Sequence, residues 1–178
     1  MHIEDRMPSA SIPDWSREHK ATLTWSPSRS LLASLRSYQK WQGYGMWGAV
    51  PRKFAMLRHR FWSAITGCDL PINTVIDGGL LLPHPNGVVI HPKCKIGPNC
   101  LILQQVTLGT NGSKNGVGVP SLGGHVDVGA GAKILGPITI GENAVIGANA
   151  VVLTDVPANA VAIGIPARII LRQDKAAP

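Results

Sequence analysis

From Leu122 to Val152 every sixth residue is a branched aliphatic: Leu122, Val128, Ile134, Ile140, Ile146 and Val152. Four residues after each comes a second apolar or small side chain: Val126, Ala132, Ile138, Ala144, Ala150 and Val156. Glycine follows the first residue of the hexad at Gly123, Gly129, Gly141 and Gly147. A six-residue period fits neither the 3.6-residue turn of a helix nor the two-residue alternation of an ordinary strand. It marks a parallel β-helix wound from hexapeptides, in which each coil stacks on the one before.

The period runs backward through Leu108, Ile102, Ile96 and Ile90 to Leu82, Ile76 and Leu70, with two breaks. The step from Leu82 to Ile90 is eight residues, and that from Leu108 to Leu122 is fourteen. The longer one holds Gly109, Gly112, Gly116, Gly118 and Pro120. Three hexads make one coil, and parallel pairing raises each coil by roughly 4.8 Å, so residues 70–165 supply about five coils. Each extended side should bury its first and fifth hexad residues. The corners should take Gly, Asn or Pro. The two ends of such a stack are open edges, and preceding helices are placed to cover one of them.

The segment before the coils differs in kind. Residues 1–63 hold ten Lys/Arg against four Asp/Glu, whereas residues 64–178 hold seven against six. All nine aromatics also lie before residue 63, which suits a narrow coil with no room for rings. Residues 1–26 are polar, with Trp15 and Trp25, and are expected to be poorly ordered unless something holds them. Residues 27–42 read as a helix, capped by Ser26 with Pro27 at its first position, or by Ser28; Leu31, Leu32, Leu35 and Tyr38 line one side. Gly43, Gly45 and Gly48 break it. Pro51 is then expected to open a second helix to about Thr66, apolar at Phe54, Leu57, Phe61, Trp62 and Ile65. Its other face carries Arg52, Lys53, Arg58 and Arg60, for which a solvated face is the plain reading. The expected division is 1–26 as a flexible N-terminus, 27–68 as a basic helical segment, 69–170 as the coil and 171–178 as a tail.

A basic segment is compatible with nucleic acid, an anionic membrane surface or acidic ligands. The sequence carries no nucleic-acid-binding motif, so nucleic acid is not expected. Cys68, Cys94 and Cys100 form no disulfide framework; Cys94 and Cys100 share one hexad position and read as buried thiols. With no leader and no 18-residue apolar run, a soluble cytoplasmic protein is the expectation.

Three stretches carry a resemblance: QQVTLGT at 104–110, VGAGAKILGPITIG at 128–141 and AVIGANAVVLTDVPANAVAIGIPARII at 144–170. Through them residues 69–168 resemble the hexapeptide-repeat acyltransferases, and among these the serine acetyltransferases. The resemblance implies a mainly β fold, a left-handed parallel β-helix behind a short α-helical segment, although parallel crossovers are usually right-handed. It also implies a homotrimer with each active site between two neighbouring coils. Pairing of trimers stays open.

The same resemblance assigns the catalytic roles to His84 and to Asp69, fifteen residues before it. The chemistry is intelligible. An alcohol is a poor nucleophile at neutral pH, and a neutral imidazole can take its proton as it attacks a thioester carbonyl. A carboxylate on the other ring nitrogen fixes the tautomer. His84 lies inside the eight-residue step, in LLPHPNG, where an extra residue or two can aim a side chain outward. A surface histidine between two prolines is the other reading. His91 and His125 read as surface residues, with His91 the reserve base. His84, His91 and His125 contain no H-x-x-x-x-H pair, so no metal is expected.

For acetyl-CoA the resemblance implies Gly109 and Thr110 beside the pantetheine, Ala130 and Ala148 offering backbone groups at coil corners, and Pro166 with Arg168 at the far end. A guanidinium suits a CoA phosphate. Plain corner packing would also account for Ala130 and Ala148. Three features depart from the serine acetyltransferase pattern. Pro83 stands where those enzymes have an Asp, and Gly118–Val119 stand where they have an Arg-His pair before the loop proline. The chain ends in Ala-Ala-Pro rather than in the Ile that docks into cysteine synthase, which tells against that complex.

The expected function is therefore acetyl-CoA-dependent O-acetylation of a small hydroxyl acceptor. Serine and a sugar or polysaccharide-precursor hydroxyl both stay open. A zinc carbonic-anhydrase-like or non-catalytic prism is the reading from another class.

Overall fold

Two helices precede the coils, and each begins at a backbone feature the sequence supplies. The computed structural model describes residues 8–21, 24–112 and 118–172. Helix α1 spans Pro27–Gln42, with Pro27 in its first turn, where the missing N–H costs nothing. Ser26 precedes it, but its side chain makes no capping bond. Helix α2 spans Ala49–Thr66, so it starts two residues before Pro51 rather than at it. Pro51 still falls in the first turn, where N–H groups have no intrahelical partner. Gly67, at φ 63°, ends α2 in the left-handed conformation that a C-terminal glycine adopts readily.

Thirteen short strands follow. They are β1 (Val75–Ile76), β2 (Val89–Ile90), β3 (Lys95–Ile96), β4 (Leu101–Ile102), β5 (Thr107–Gly109), β6 (Ser121–Leu122), β7 (Asp127–Val128), β8 (Lys133–Leu135), β9 (Thr139–Ile140), β10 (Val145–Ile146), β11 (Val151–Val152), β12 (Ala160–Ile163) and β13 (Arg168–Leu171). They sort into three sheets, ordered β1-β3-β6-β9, β2-β5-β8-β11 and β4-β7-β10-β12-β13. The chain visits the three in rotation, which makes a three-sided parallel coil. Pairing reads out the repeat directly. Val151 pairs with Lys133, Val145 with Asp127 and Thr139 with Ser121, each eighteen residues apart. Across the long excursion the offset becomes 26, as in Thr107 with Lys133. Across the shorter one it becomes 20, as in Val75 with Lys95. Both interruptions therefore loop out of the stack and leave its register intact.

The core is the hexad pattern made solid. Leu70, Ile76, Leu82, Ile90, Ile96, Ile102, Leu108, Leu122, Val128, Ile134, Ile140, Ile146 and Val152 are all buried. So are the fifth-position residues Val126, Ala132, Ile138, Ala144, Ala150 and Val156. Each large aliphatic contributes about 1.5–3 kcal/mol by leaving water. Cys94 and Cys100 share this core with Cys68, and burial pushes their thiols up to about 11, 11 and 12 respectively. Corners turn on left-handed residues, among them Asn99, Gln105, His125, Asn143 and Asn149. Asn tolerates this conformation because its short polar side chain bonds locally.

Leu31, Leu32 and Leu35 of α1 enter the same core beside Leu70, Ile76 and Leu80, and so close one end of the stack. At the other end β13 folds back antiparallel on β12. Within the N-terminus expected to be loose, residues 9–18 are held by the chain's own coil. Residues Trp15–Glu18 form a 3-10 turn. Asn99, buried at a corner, accepts from the Asp14 N–H and donates to the carbonyls of Ser9 and Ile12. Glu18 accepts from the N–H groups of Gly79 and Leu80 and pairs with Arg36 at 2.8 Å. The expected tail, 171–178, lies beyond the described residues except for Leu171 and Arg172.

The contact side of α2 also differs from expectation. Ala55 and His59 are its buried residues toward α1, while Phe54, Leu57, Phe61 and Ile65 stay exposed. Among the described residues no helix is long and apolar enough to cross a membrane.

Candidate active site

The eight-residue step between Leu82 and Ile90 turns outward at residues 83–87. The turn is pinned from both sides by the backbone. The Gly87 N–H donates to the Gly67 carbonyl at 2.8 Å, and the Gln105 N–H donates to the Asn86 carbonyl at 3.0 Å. Gly87 sits at φ 69°, and a Cβ there would lie 2.4 Å from the Gln105 side chain. Gln105 in turn donates from Nε2 to Asn86 Oδ1 at 3.2 Å. His84 thus projects, exposed, from a turn that is itself fixed. It lines an open depression of about 400 Å³ with Pro27, Ser28, Ile65, Thr66 and Asn86.

Asp69 lies one coil below. Its N–H donates to the Val88 carbonyl, and its carbonyl accepts from the Ile90 N–H. Its side chain is exposed and lines a different depression of about 350 Å³, with His59, Arg60 and Ser63. No hydrogen bond joins Asp69 to His84 among the described residues. The structure brings the two to neighbouring rungs but not into contact.

Of the residues singled out for acetyl-CoA, Gly109, Thr110, Ala130 and Ala148 lie at two edges of the sheet β2-β5-β8-β11, whereas Arg168 opens β13 in the sheet β4-β7-β10-β12-β13. Ala130 and Ala148 stack on one corner, three residues before the paired Lys133 and Val151. The Asn149 N–H donates to the Ala130 carbonyl, and the Gly131 N–H to the Gln104 carbonyl. Continued downward, this column meets Asn86, because Gln105 bonds to it. One corner therefore carries the His84 turn, Gln104–Gln105, Ala130 and Ala148 at successive rungs of about 4.8 Å each. Continued upward, it meets the turn before β13, where the Ala167 N–H donates to the Val151 carbonyl. Pro166 and Arg168 flank that point and are exposed. Gly109 and Thr110 stand at the opposite edge of the sheet, Gly109 beside Leu135. They are separated from the Ala130 corner by about five strand residues, roughly 16 Å.

Asn86 and Gln105, which flank His84, were missed from sequence. Gln105 lies in the quoted QQVTLGT stretch, but its approach to Asn86 spans nineteen residues and depends on the coil.

His91 and His125 each have a partner at a ring nitrogen. His91 Nδ1 accepts from the Lys93 N–H at 3.2 Å, and His125 Nδ1 lies 2.9 Å from Asn143 Oδ1. Among the described residues no group of three or more His, Cys, Asp or Glu could hold a metal ion.

Comparison with known proteins fits this architecture. Residues 120–154 match the family model described as bacterial transferase hexapeptide (six repeats). The serine acetyltransferase of Mycobacterium tuberculosis is 41% identical over 125 residues, covering 70% of this chain and 55% of its own length. The chain is similar to the hexapeptide-repeat serine acetyltransferases. Soybean serine acetyltransferase complexed with serine superposes with a TM-score of 0.68 at 35% identity, over 82% of this chain and 58% of that one. A serine acetyltransferase in complex with CoA gives 0.67 at 33% identity, over 83% and 59%. The chain thus spans little more than half the length of the curated relative and of these solved structures. Residues 120–154, a part of the coil read from the sequence, are what matches the family model.

Proposed function

We propose that this protein transfers the acetyl group of acetyl-CoA to a hydroxyl, with His84 as general base. The observation that carries the reading is His84 itself, exposed on a turn whose backbone is fixed on both sides, in a coil at least 30% identical to serine acetyltransferases. In the transfer, the acceptor's O–H proton passes to a ring nitrogen of His84 as oxygen attacks the thioester carbon. The carbon–sulfur bond then breaks, and the departing thiolate takes the proton back from the imidazolium. Asp69, one rung below, orients and stabilises the imidazolium once the side chains close on substrate; catalytic hydrogen bonds are often long before substrate binds.

We read the corner through Gln104–Gln105, Ala130 and Ala148 as one wall for the pantetheine arm, with Pro166 and Arg168 at the CoA phosphate end. Gly109 and Thr110, at the opposite edge, supply the other wall from a neighbouring chain. That arrangement requires a homotrimer and a left-handed β-helix. Residues 69–170 then form the catalytic unit, residues 27–68 its helical cap, and the enzyme acts in the cytoplasm. Serine is the acceptor that similarity favours. A sugar or polysaccharide-precursor hydroxyl is the second reading, favoured by Pro83 and by the half-buried Gly118 and Val119. None of the three can pair with the charges of an amino acid, and charged groups are costly to leave unpaired.

The test is release of free CoA thiol from acetyl-CoA, with L-serine set against a panel of sugars and nucleotide sugars. Turnover with L-serine supports the first reading and turnover with sugars alone the second. Absence of acetyl-CoA binding in a thermal-shift titration would sink both.

A further inference from the structure

Helix α2 presents an apolar stripe to solvent. Val50, Phe54, Leu57 and Phe61 follow the i, i+4, i+7, i+11 spacing of one helical face, opposite the buried Ala55 and His59. Phe54 and Leu57 are 62% and 66% exposed, and Met46 and Trp47, in the turn just before, are 88% and 89% exposed. A contiguous patch of this kind marks an interaction surface, unlike single exposed apolar residues. By the 3.6-residue repeat, Lys53 and Arg60 border the stripe on one side and Arg58 on the other.

The charge around it has one sign. Residues 19–68 contain eight Lys/Arg and no Asp or Glu. Of the eight, Arg36 is paired to Glu18. Laying this face on the same face of a second copy would bury the aromatics but press like charges together along both rims. The complementary surface is apolar beneath and negative at its boundary, and an anionic lipid bilayer has that profile. Long basic side chains at the rim can lie along the apolar surface and keep their charges among the headgroups.

We propose that α2 is an interfacial helix that lies in the plane of an anionic membrane, with Trp47, Val50, Phe54, Leu57 and Phe61 sunk among the acyl chains and Lys53, Arg58 and Arg60 on phosphates. This places the coil beside the bilayer without spanning it.

The experiment is co-sedimentation of the full chain with vesicles of phosphatidylcholine alone, and of phosphatidylcholine doped with phosphatidylglycerol, at low and high salt. Two double variants accompany it: Phe54→Ser with Leu57→Ser, and Lys53→Glu with Arg60→Glu. All four side chains are exposed, so the fold should survive, as circular dichroism checks. The expected result is binding to the phosphatidylglycerol vesicles that either double variant weakens at least about tenfold, and that high salt weakens too. Three results would overturn the proposal. One is no binding. A second is equal binding to neutral vesicles. The third is a smaller particle mass for the Phe54/Leu57 variant with vesicle binding unchanged, which would make the stripe a seam between copies.

Discussion

The backbone N–H of Gln105 donates to the carbonyl of Asn86 at 3.0 Å, and this bond seats the turn that carries His84 on the corner that carries Ala130 and Ala148. The candidate base and two of the candidate acetyl-CoA contacts thereby share one vertical edge, although 64 residues separate His84 from Ala148 in sequence. Since each rung rises by about 4.8 Å, a thin extended ligand could run up the edge and end at the histidine.

His84 makes no hydrogen bond within the described chain and packs into no core, so its removal should spare the fold. His84→Ala is expected to lower acetyl-transfer turnover by roughly 10²- to 10⁴-fold while thermal unfolding is unchanged. Steady-state thiol release and a melting curve measure the two. Undiminished turnover would move the base elsewhere.

Two glycines separate fold from function. At Gly87 the backbone has φ 69° and an added Cβ would meet Gln105 at 2.4 Å, so Gly87→Ala should cost about 1–2 kcal/mol and disturb the His84 turn. At Gly109 the nearest atoms to an added Cβ are 3.9 Å away, so the fold itself tolerates alanine. Gly109→Ala should change stability by no more than about 0.5 kcal/mol. If the pantetheine passes against this backbone, the same change raises KM for acetyl-CoA. Denaturant titration of both variants, with acetyl-CoA kinetics of the second, separates the cases; an unaltered KM would remove Gly109 from the groove.

The coil was legible because its geometry writes itself into every sixth residue: Ile134, Ile140 and Ile146 face inward for the same reason, and no long-range information is needed to see it. Both interruptions were legible as well, since the pairing offsets of 20 and 26 reproduce their excess lengths. What could not be read depends on contacts between rungs or on docking. Nothing local in Asn99 shows that its amide will hold Ser9, Ile12 and Asp14, some 85 to 90 residues away. The pattern of α2 showed an apolar face but not that α1 would take the Ala55–His59 side and leave the aromatics outside. At the site, His84 and Asp69 were proposed through the family resemblance, whereas Asn86 and Gln105 meet only once the coil closes.

Asn99 makes the N-terminal strap testable. Asn99→Ala removes three side-chain hydrogen bonds and leaves an ordinary residue at φ 60°, and is expected to cost about 2–4 kcal/mol. Asn99→Gly loses the same bonds but accepts the backbone, so it should be milder by about 1 kcal/mol. In both, trypsin should cut at Arg17 or Lys20 well before the coil is attacked. Resistance equal to wild type would mean that Glu18 and Arg36 suffice to hold the segment.

His59 ties the helices to the first coil, and its protonation should set a pH limit on that joint. Nε2 lies 2.6 Å from the Leu70 carbonyl, and Nδ1 lies 3.0 Å from the Ser34 hydroxyl, which also lies 2.6 Å from the Leu31 carbonyl. The Ser34 hydroxyl gives its one proton to the Leu31 carbonyl, and the neutral ring donates from Nε2 to the Leu70 carbonyl. Burial holds the His59 pKa below its ordinary value, against the opposing pull of the backbone carbonyls. The unfolded chain, at about 6.5, therefore binds the proton more readily than the folded one. Stability from this group is complete above about pH 6.5 and is lost as pH falls toward the lowered folded-state value. Arg60 and Asp69 line the same depression. Urea midpoints near pH 7.5 and about pH 5.5 should fall with acid for the wild type. His59→Gln should show a lower midpoint at the higher pH and a flatter slope between the two. An unchanged slope in the variant would assign the acid sensitivity to another group.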